Sequence, residues 1–242
     1  MRNKIILIIS LLLSCSTILA QAKSDREREG LKGLVQTVKV SQMTVVTEGE
    51  KQTSGPLALS HRISYDRSGK RTELALFEKT GVLSRRVTYT YDPKSGRLSE
   101  LATYNDTNVM VRKVVDKYGS DGFKSSRTIL DHKDDGLFYR HLVLNFGAFG
   151  ELVEVAEFAE DGSLIKRDNA PFKQLSHPDT ILQAPQDEDR LLSFGGTRGE
   201  YLEPDAHGNW TRKVGPSTIL GYASGKKLKT EVLVYRELTY YQ

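Results

Sequence analysis

Even steps from three glycines land on the same residue types. From Gly96 they reach Leu98, Glu100, Ala102 and Tyr104; from Gly150, Leu152, Glu154, Ala156 and Phe158; from Gly69, Arg71, Glu73, Ala75 and Phe77. Successive side chains of a strand point to opposite faces, so residues two apart share one. Each set therefore reads as one face of one strand. The stretch Val87–Tyr104, VTYTYDPKSGRLSELATY, spells out strand, turn, strand.

A second turn residue follows each closing aromatic by four: Gly81 after Phe77, Asn108 after Tyr104, Gly162 after Phe158. Gly and Asn tolerate the positive φ that tight hairpin turns require. Two and four residues on stand an apolar residue and a base: Leu83 and Arg85, Met110 and Arg112, Leu164 and Lys166, and after Gly136, Phe138 and Arg140. The next strand closes with an aromatic, Tyr65, Tyr91, Tyr118 or Phe146, ahead of Gly69, Gly96, Gly122 or Gly150. Those glycines stand 27, 26 and 28 residues apart. A fixed period in this range marks a repeat architecture. The fold expected is all-β: a twisted antiparallel meander of ~12–14 strands, built from double-strand hairpin repeats. Neither face reads as cleanly apolar, because Leu98 and Tyr104 share one with Glu100 while Leu101, Val153 and Val155 point the other way. That favours a curved single sheet.

The pairs Tyr65-Asp66 and Tyr91-Asp92, each followed by a glycine turn, resemble the YD or RHS repeat, as does Asp205-Ala206-His207-Gly208-Asn209-Trp210. The ending Tyr235-Arg236-Glu237-Leu238-Thr239-Tyr240-Tyr241 is similar to the closing strand of small secreted bacterial proteins of this kind. The resemblance runs from about Gly30 onward and is poorest between Asn169 and Tyr201. It implies a β-rich fold and says little about chemistry. Large members form shells around toxins; about four units are too few for a closed shell, so that role is not carried over.

Residues 1–22 read as an export signal, with Arg2 and Lys4 at the start, an apolar Ile5–Leu13 and the small-x-small site Ala20-Gln21-Ala22. The 16 residues from Ile5 to Ala20 contain five polar or cysteine interruptions, short of the ~20 apolar residues of a membrane span. Cleavage after Ala22 leaves no cysteine. The alternative is lipidation, since Leu12-Leu13-Ser14-Cys15 resembles a lipobox with Cys15 as the acceptor. Loss of Arg2 and Lys4 lowers the formal net charge from +4 to +2. Acids and bases interleave, and a balance this small gives no footprint for nucleic acid.

Residues 23–30 read as a solvated linker, with at most one helical turn, ahead of a single domain at 31–242. Leu31 to Val46 suggests one long strand or a strand pair, and Thr47 to Pro56 a loop. Residues 61–168 hold the repeats. An irregular insertion at 169–199 carries Pro171, Pro178 and Pro185 and the acidic run Asp187-Glu188-Asp189, with a short helix expected around 187–194. Strands resume from Tyr201.

Candidate chemistry is sparse. The five histidines are not spaced as metal ligands, and Asp131–Gly136 lacks the alternating oxygens and closing glutamate of a calcium loop. No Gly-x-Ser-x-Gly occurs, and the glycines at 195, 196 and 199 lack the strand–helix setting of a phosphate cradle. No cofactor is expected. Glu73, Glu100 and Glu154 read as one side of a cross-strand charge ladder, with Arg85, Arg112 and Lys166 on the other. Asn209-Trp210-Thr211 matches a glycosylation acceptor by coincidence, and Trp210 reads as packing. The aromatics Tyr65, Tyr91, Tyr118 and Phe146 should form a row along one end of the sheet. They serve either as a stacking platform for a glycan or extended peptide or, as favoured here, as packing for their own turns.

The expected function is a non-catalytic interaction or structural module, exported to the periplasm or beyond, or held at the outer membrane through Cys15. An envelope polysaccharide or another envelope protein is the expected partner. The rivals are a periplasmic half-barrel that binds lipid or lipoprotein, and a hydrolase with its site in 169–199.

Overall fold

The computed structural model describes residues 23–169, 200–215, 218–223 and 226–242. The expectations for Cys15, Ala22 and residues 170–199 lie outside these. Among the described residues the chain forms one short helix, α1 (Asp25–Arg28), and a single 15-stranded antiparallel sheet. Its strands are β1 (Val35–Glu48), β2 (Lys51–Ser54), β3 (Ala58–Tyr65), β4 (Arg71–Phe77), β5 (Leu83–Tyr91), β6 (Leu98–Asn105), β7 (Met110–Tyr118) and β8 (Lys124–His132). They continue as β9 (Phe138–Phe146), β10 (Leu152–Phe158), β11 (Leu164–Asn169), β12 (Glu200–Pro204), β13 (Trp210–Val214), β14 (Thr218–Ala223) and β15 (Lys226–Tyr240). From β3 to β11 each strand pairs with its sequence neighbours, giving the expected meander. The first strand does not stand at an edge. β1 lies between β3 and β15, whose register runs from Val35 opposite Tyr240 to Glu48 opposite Leu228.

Of the two arrangements expected for Leu31 to Val46, the chain takes the one long strand. Two boundaries differ from the sequence reading. Part of the expected loop, Lys51–Ser54, folds back as β2 onto Val45–Glu48, because Gly49 takes φ +61° and lets the chain reverse. Asn169, expected to open the insertion, ends β11 opposite Glu154.

The hairpin turns share one geometry. At the first, Gly69 N–H donates to the Asp66 carbonyl (3.0 Å) and Asp66 N–H to the Lys70 carbonyl (2.9 Å). This is a type I turn closed by a left-handed residue and a one-residue bulge. It recurs at 78–82, 105–109, 119–123, 133–137, 147–151, 159–163 and 205–209. The left-handed slot is glycine except at Asn108, φ +64°. The Asp92–Arg97 turn holds one residue more, with Pro93 inside it.

The bulge decides which residues share a face. It places Arg86, not Arg85, opposite Ala75, and Lys113, not Arg112, opposite Ala102. The ladder on this face therefore pairs Glu73 with Arg62 (2.9 Å) and Arg86 (3.8 Å), Glu100 with Lys113 (2.9 Å), and Glu154 with Arg167 (3.6 Å). The sequence reading of the ladder was one residue out, since an even count across the turn omits the bulge. In each unit a base stands over the small alanine and reaches diagonally to the glutamate. The stems of these bases help keep Ala75, Ala102 and Ala156 buried.

The opposite face carries the core, with buried ion pairs set into it, so neither face is cleanly apolar, as expected. Val38, Ile63, Leu74 and Val87 lie in one cross-strand row; Leu101, Val114, Ile129 and Leu142 form the next. Leu144 and Val155 continue it toward β11. All are buried and belong to one contiguous cluster. Arg112 falls on this face and meets Asp131 (3.4 Å).

Candidate functional site

Alternating strand directions bring Tyr65, Tyr91, Tyr118 and Phe146, the last residues of β3, β5, β7 and β9, to one end of the sheet. The row expected from sequence is thus in place. Equivalent positions two strands apart stand roughly 9–10 Å from each other. Tyr65 is only 2% exposed; the other three are half-buried.

What the sequence reading missed is the cover. Residues 23–30 are not a solvated linker. Ser24 caps α1, accepting from Glu27 N–H while the Glu27 carboxylate accepts from Ser24 N–H (2.8 Å). The spacing Ser24-x-x-Glu27 is the sequence signature of a capping box and could have located this turn. Arg26 N–H then donates to the Gly69 carbonyl (3.0 Å), and the buried Arg26 guanidinium donates to the Val35 carbonyl (3.3 Å). Asp25 accepts from Arg71 N–H (2.9 Å) and from the Tyr91 hydroxyl (2.5 Å). Glu29 accepts from the Tyr65 hydroxyl (2.5 Å) and the Arg71 guanidinium (2.7 Å).

The segment continues past Lys32, whose N–H donates to the Asn209 side-chain carbonyl (2.7 Å) and whose own carbonyl accepts from Asn209 Nδ2 (2.9 Å). Asn209 Nδ2 also donates to the Tyr240 hydroxyl (2.8 Å), which in turn donates to Asp205. His207 stacks on Tyr240 with ring centroids 4.0 Å apart. Tyr241 adds a hydrogen bond from its hydroxyl to the Tyr65 carbonyl (2.6 Å). Residues 24–34 thus strap the strand ends from β5 to β13.

Electrostatics fix the roles of these groups. Burial pushes the Tyr65 hydroxyl far above its ordinary range, and the Glu29 carboxylate pushes it further. Tyr91 is raised by burial and then by its bond to Asp25. Burial also acts to raise Asp25, but bonds from Tyr91, Arg71 N–H and Arg28 outweigh it and hold the carboxyl below its usual value. The tyrosines are therefore donors and Asp25 an ionised acceptor at any physiological pH. Behind them sits buried His61, lowered to about 4 by burial and then by the nearby Arg236 and Arg71 charges.

Beyond the strap the ladder is carried by the residue after each left-handed glycine. Lys70 Nζ lies 5.1 Å from the Tyr91 ring centre, and Arg97 Cζ 5.1 Å from that of Tyr118. Each base thus overlies the aromatic of the next unit. The Tyr118 hydroxyl donates to the Leu98 carbonyl (3.0 Å), and Phe146 packs against the core. Trp210, read as packing, lies under Arg236 at 3.7 Å.

On the core face, Asp116 accepts two bonds from Arg127 (2.7 and 2.8 Å) and meets Lys124 at 2.7 Å. Asp131 accepts from Arg140 (2.6 Å). Among the described residues no group of three His, Cys, Asp or Glu side chains could hold a metal ion, and no helix is long and apolar enough to cross a membrane. Chemically, the arrangement joins neighbours: its donors and acceptors link turn to turn and strap to strand.

These features describe an all-β protein with an open antiparallel meander and a strapped end. No family model and no curated protein matches the chain. Among solved structures it is similar to a porin-like protein from Bacteroides uniformis, at 8% identity over 86% of this chain and 99% of the other, with a TM-score of 0.29. It is also similar to the TcdB2–TccC3 complex, at 13% identity over 72% of this chain and 12% of the other, TM-score 0.20. A Photorhabdus luminescens Tc holotoxin pore matches over the same shares at 13% identity, TM-score 0.19. Scores this low carry no argument about function.

Proposed function

We propose that the chain is an exported, non-catalytic module of the bacterial cell envelope, whose rigid sheet presents its turns and edges to an envelope polysaccharide or protein. One observation carries this reading. The polar residues that recur from unit to unit are spent on neighbouring units or on the strap: Glu73 between Arg62 and Arg86, Tyr65 on Glu29, Tyr91 on Asp25. A catalytic site concentrates one exceptional set of groups; here the same sets repeat and hold the sheet together. The signal-like residues 1–22 supply the destination.

The experiment combines fractionation with crosslinking. The chain is expressed in its host, its fraction and N-terminal mass are determined, and envelope partners are crosslinked to it. Recovery outside the cytoplasm, with a partner that survives Tyr91→Ala, supports the proposal and assigns the aromatic row to stability. An intact Met1 in the cytoplasm defeats it. So does hydrolytic turnover abolished by a substitution within residues 169–199.

A further inference from the structure

We infer that the outer edge of β11 joins a second copy of this chain, antiparallel and symmetric about Arg167, so that Lys166 of each copy faces Asp168 of the other.

The sheet ends in two strands, β11 and β12, and they are finished differently. An open edge invites pairing with another chain, and proline, bulges and irregular register blunt it. β12 has these devices. It ends in Pro204, and its register with β13 shifts twice, between Tyr201 and Glu203 and again before Pro204. β11 has one irregularity, near its start, between Leu164 and Lys166. From Lys166 to Asn169 it runs in unbroken register with Glu157 to Glu154, and it contains no proline. Among the described residues no strand pairs with its other side. Leu164 is 50% and Ile165 63% exposed, and Lys166, Arg167 and Asn169 are exposed as well. A regular edge strand with apolar residues in water is a template for another strand.

Charge selects the occupant. Lys166 and Asp168 share the core face, where Asp168 stands opposite Val155. Of the charged residues of β11, Arg167 alone has an ion pair among the described residues, with Glu154 at 3.6 Å. Lys166 forms none even with Glu157, which stands opposite it, and Asp168 Oδ2 accepts no hydrogen bond. A second copy of the same strand supplies both missing charges. In an antiparallel pair related by a two-fold axis, facing residues lie on one side of the sheet, so the axis passes through a residue. Centred on Lys166, the two lysines repel; centred on Asp168, the two aspartates do; centred on Ile165, Lys166 meets Leu164. Centred on Arg167, Lys166 faces Asp168 of the second copy, twice over. Opposite charges of this kind set register. The two Arg167 side chains then meet on the outer face, each already held by its own Glu154. Both outer ends of the joined sheet are now β12, whose blunted edge stops the assembly at two copies.

The test is sedimentation velocity of the purified full chain over a concentration series, with hydrogen exchange on the same samples. So short a ladder should give a dimer that dissociates on dilution through roughly the micromolar range. Exchange at residues 166–169 should slow as the dimer fills, and exchange at 200–204 should not change. Lys166→Asp sets aspartate against Asp168, and Asp168→Lys sets lysine against Lys166; each should weaken the dimer about tenfold or more. Mixed in equal amounts, the two variants should associate like the native chain, because every facing pair is again opposite in charge. A chain carrying both substitutions should dimerise by itself. Recovery on mixing separates a lost contact from a lost fold, since two misfolded chains do not repair each other. The inference is overturned by a native chain that stays monomeric at about 100 μM, by a dimer that leaves β11 exchange unchanged, by variants that do not recover on mixing, or by growth beyond two copies. A monomeric chain that is exported and crosslinks to an envelope partner leaves the envelope reading intact, so the two readings fail separately.

Discussion

Glu29 accepts the Tyr65 hydroxyl at 2.5 Å, and this one bond ties the N-terminal strap to the end of β3. The same carboxylate holds Arg71 on β4. Tyr65→Phe keeps the ring and removes the donor, leaving a half-buried carboxylate one partner short. It should cost about 1–3 kcal/mol in urea unfolding. Trypsin should then cut faster at Arg26 and Arg28, the first sites freed when the strap lifts, while cleavage within β4–β10 stays slow.

The turn glycines should not respond alike. A Cβ at Gly69 would stand 2.8 Å from Ser24 Oγ, whereas one at Gly150 would meet nothing within 4 Å. Both carry positive φ. Gly150→Ala should therefore show the backbone cost alone, about 1 kcal/mol. Gly69→Ala should exceed it and should speed trypsin cleavage of the strap. Equal melting temperatures for the two variants would remove the packing argument. The larger turn at Gly96 should likewise reject valine by more than ~1 kcal/mol.

His61 gives the fold an acid sensitivity. Its pKa falls from 6.5 to about 4 in the folded protein, first through burial and then through Arg236 and Arg71. A depressed histidine stabilises the folded state fully above its unfolded value. That stabilisation is lost as pH falls from about 6.5 through 4, because the unfolded chain binds the proton more readily. The loss should reach on the order of 3 kcal/mol. His61→Phe should flatten the stability profile between pH 7 and about 4.5 relative to the native chain.

Asp116 and Glu73 separate buried from half-buried ion pairs. Burial acts to raise Asp116, but hydrogen bonds from Arg127 and Lys124 outweigh it and hold it below the usual carboxylate range. Its contribution is present at neutral pH and is lost as pH falls below that range. Asp116→Asn leaves Arg127 and Lys124 without their counter-charge and should cost about 3 kcal/mol. Glu73→Gln, on the outer ladder, should cost under ~1 kcal/mol and less in high salt.

The meander was legible because its signals are local. Gly69, Gly96, Gly122 and Gly150 announce turns, and the even steps to Glu100 or Ala156 announce a face. The choice between Arg85 and Arg86 was not legible from an even count, because a bulge shifts the register without leaving a residue of its own type. The strap was missed for a different reason. Asp25, Glu29 and Lys32 sit in a charged stretch whose composition suits solvent. Their partners Tyr91, Tyr65 and Asn209 are 66, 36 and 177 residues away. Only the Ser24–Glu27 cap was readable locally. The side that carries the core was not legible from Leu98 and Tyr104, which stand at the strand ends, because burial is decided in the middle of the strands, at Leu101 and Val114.

The pairing of β1 with β15 sets an order of assembly. Strands β3 to β11 need only their immediate predecessors, so each hairpin can close soon after it is made. β1 instead waits for residues such as Glu237, which meets Lys39 across 198 positions of chain. Closing so long a loop is slow compared with closing the hairpins. Until it closes, Val38 and Val40 line an open edge of a growing sheet, the kind of edge on which chains join one another. The last fifteen residues before the C-terminal Tyr241-Gln242 therefore act as the fold's lock. A chain stalled or clipped ahead of Lys226 keeps its hairpins, yet carries a sticky seam through its centre.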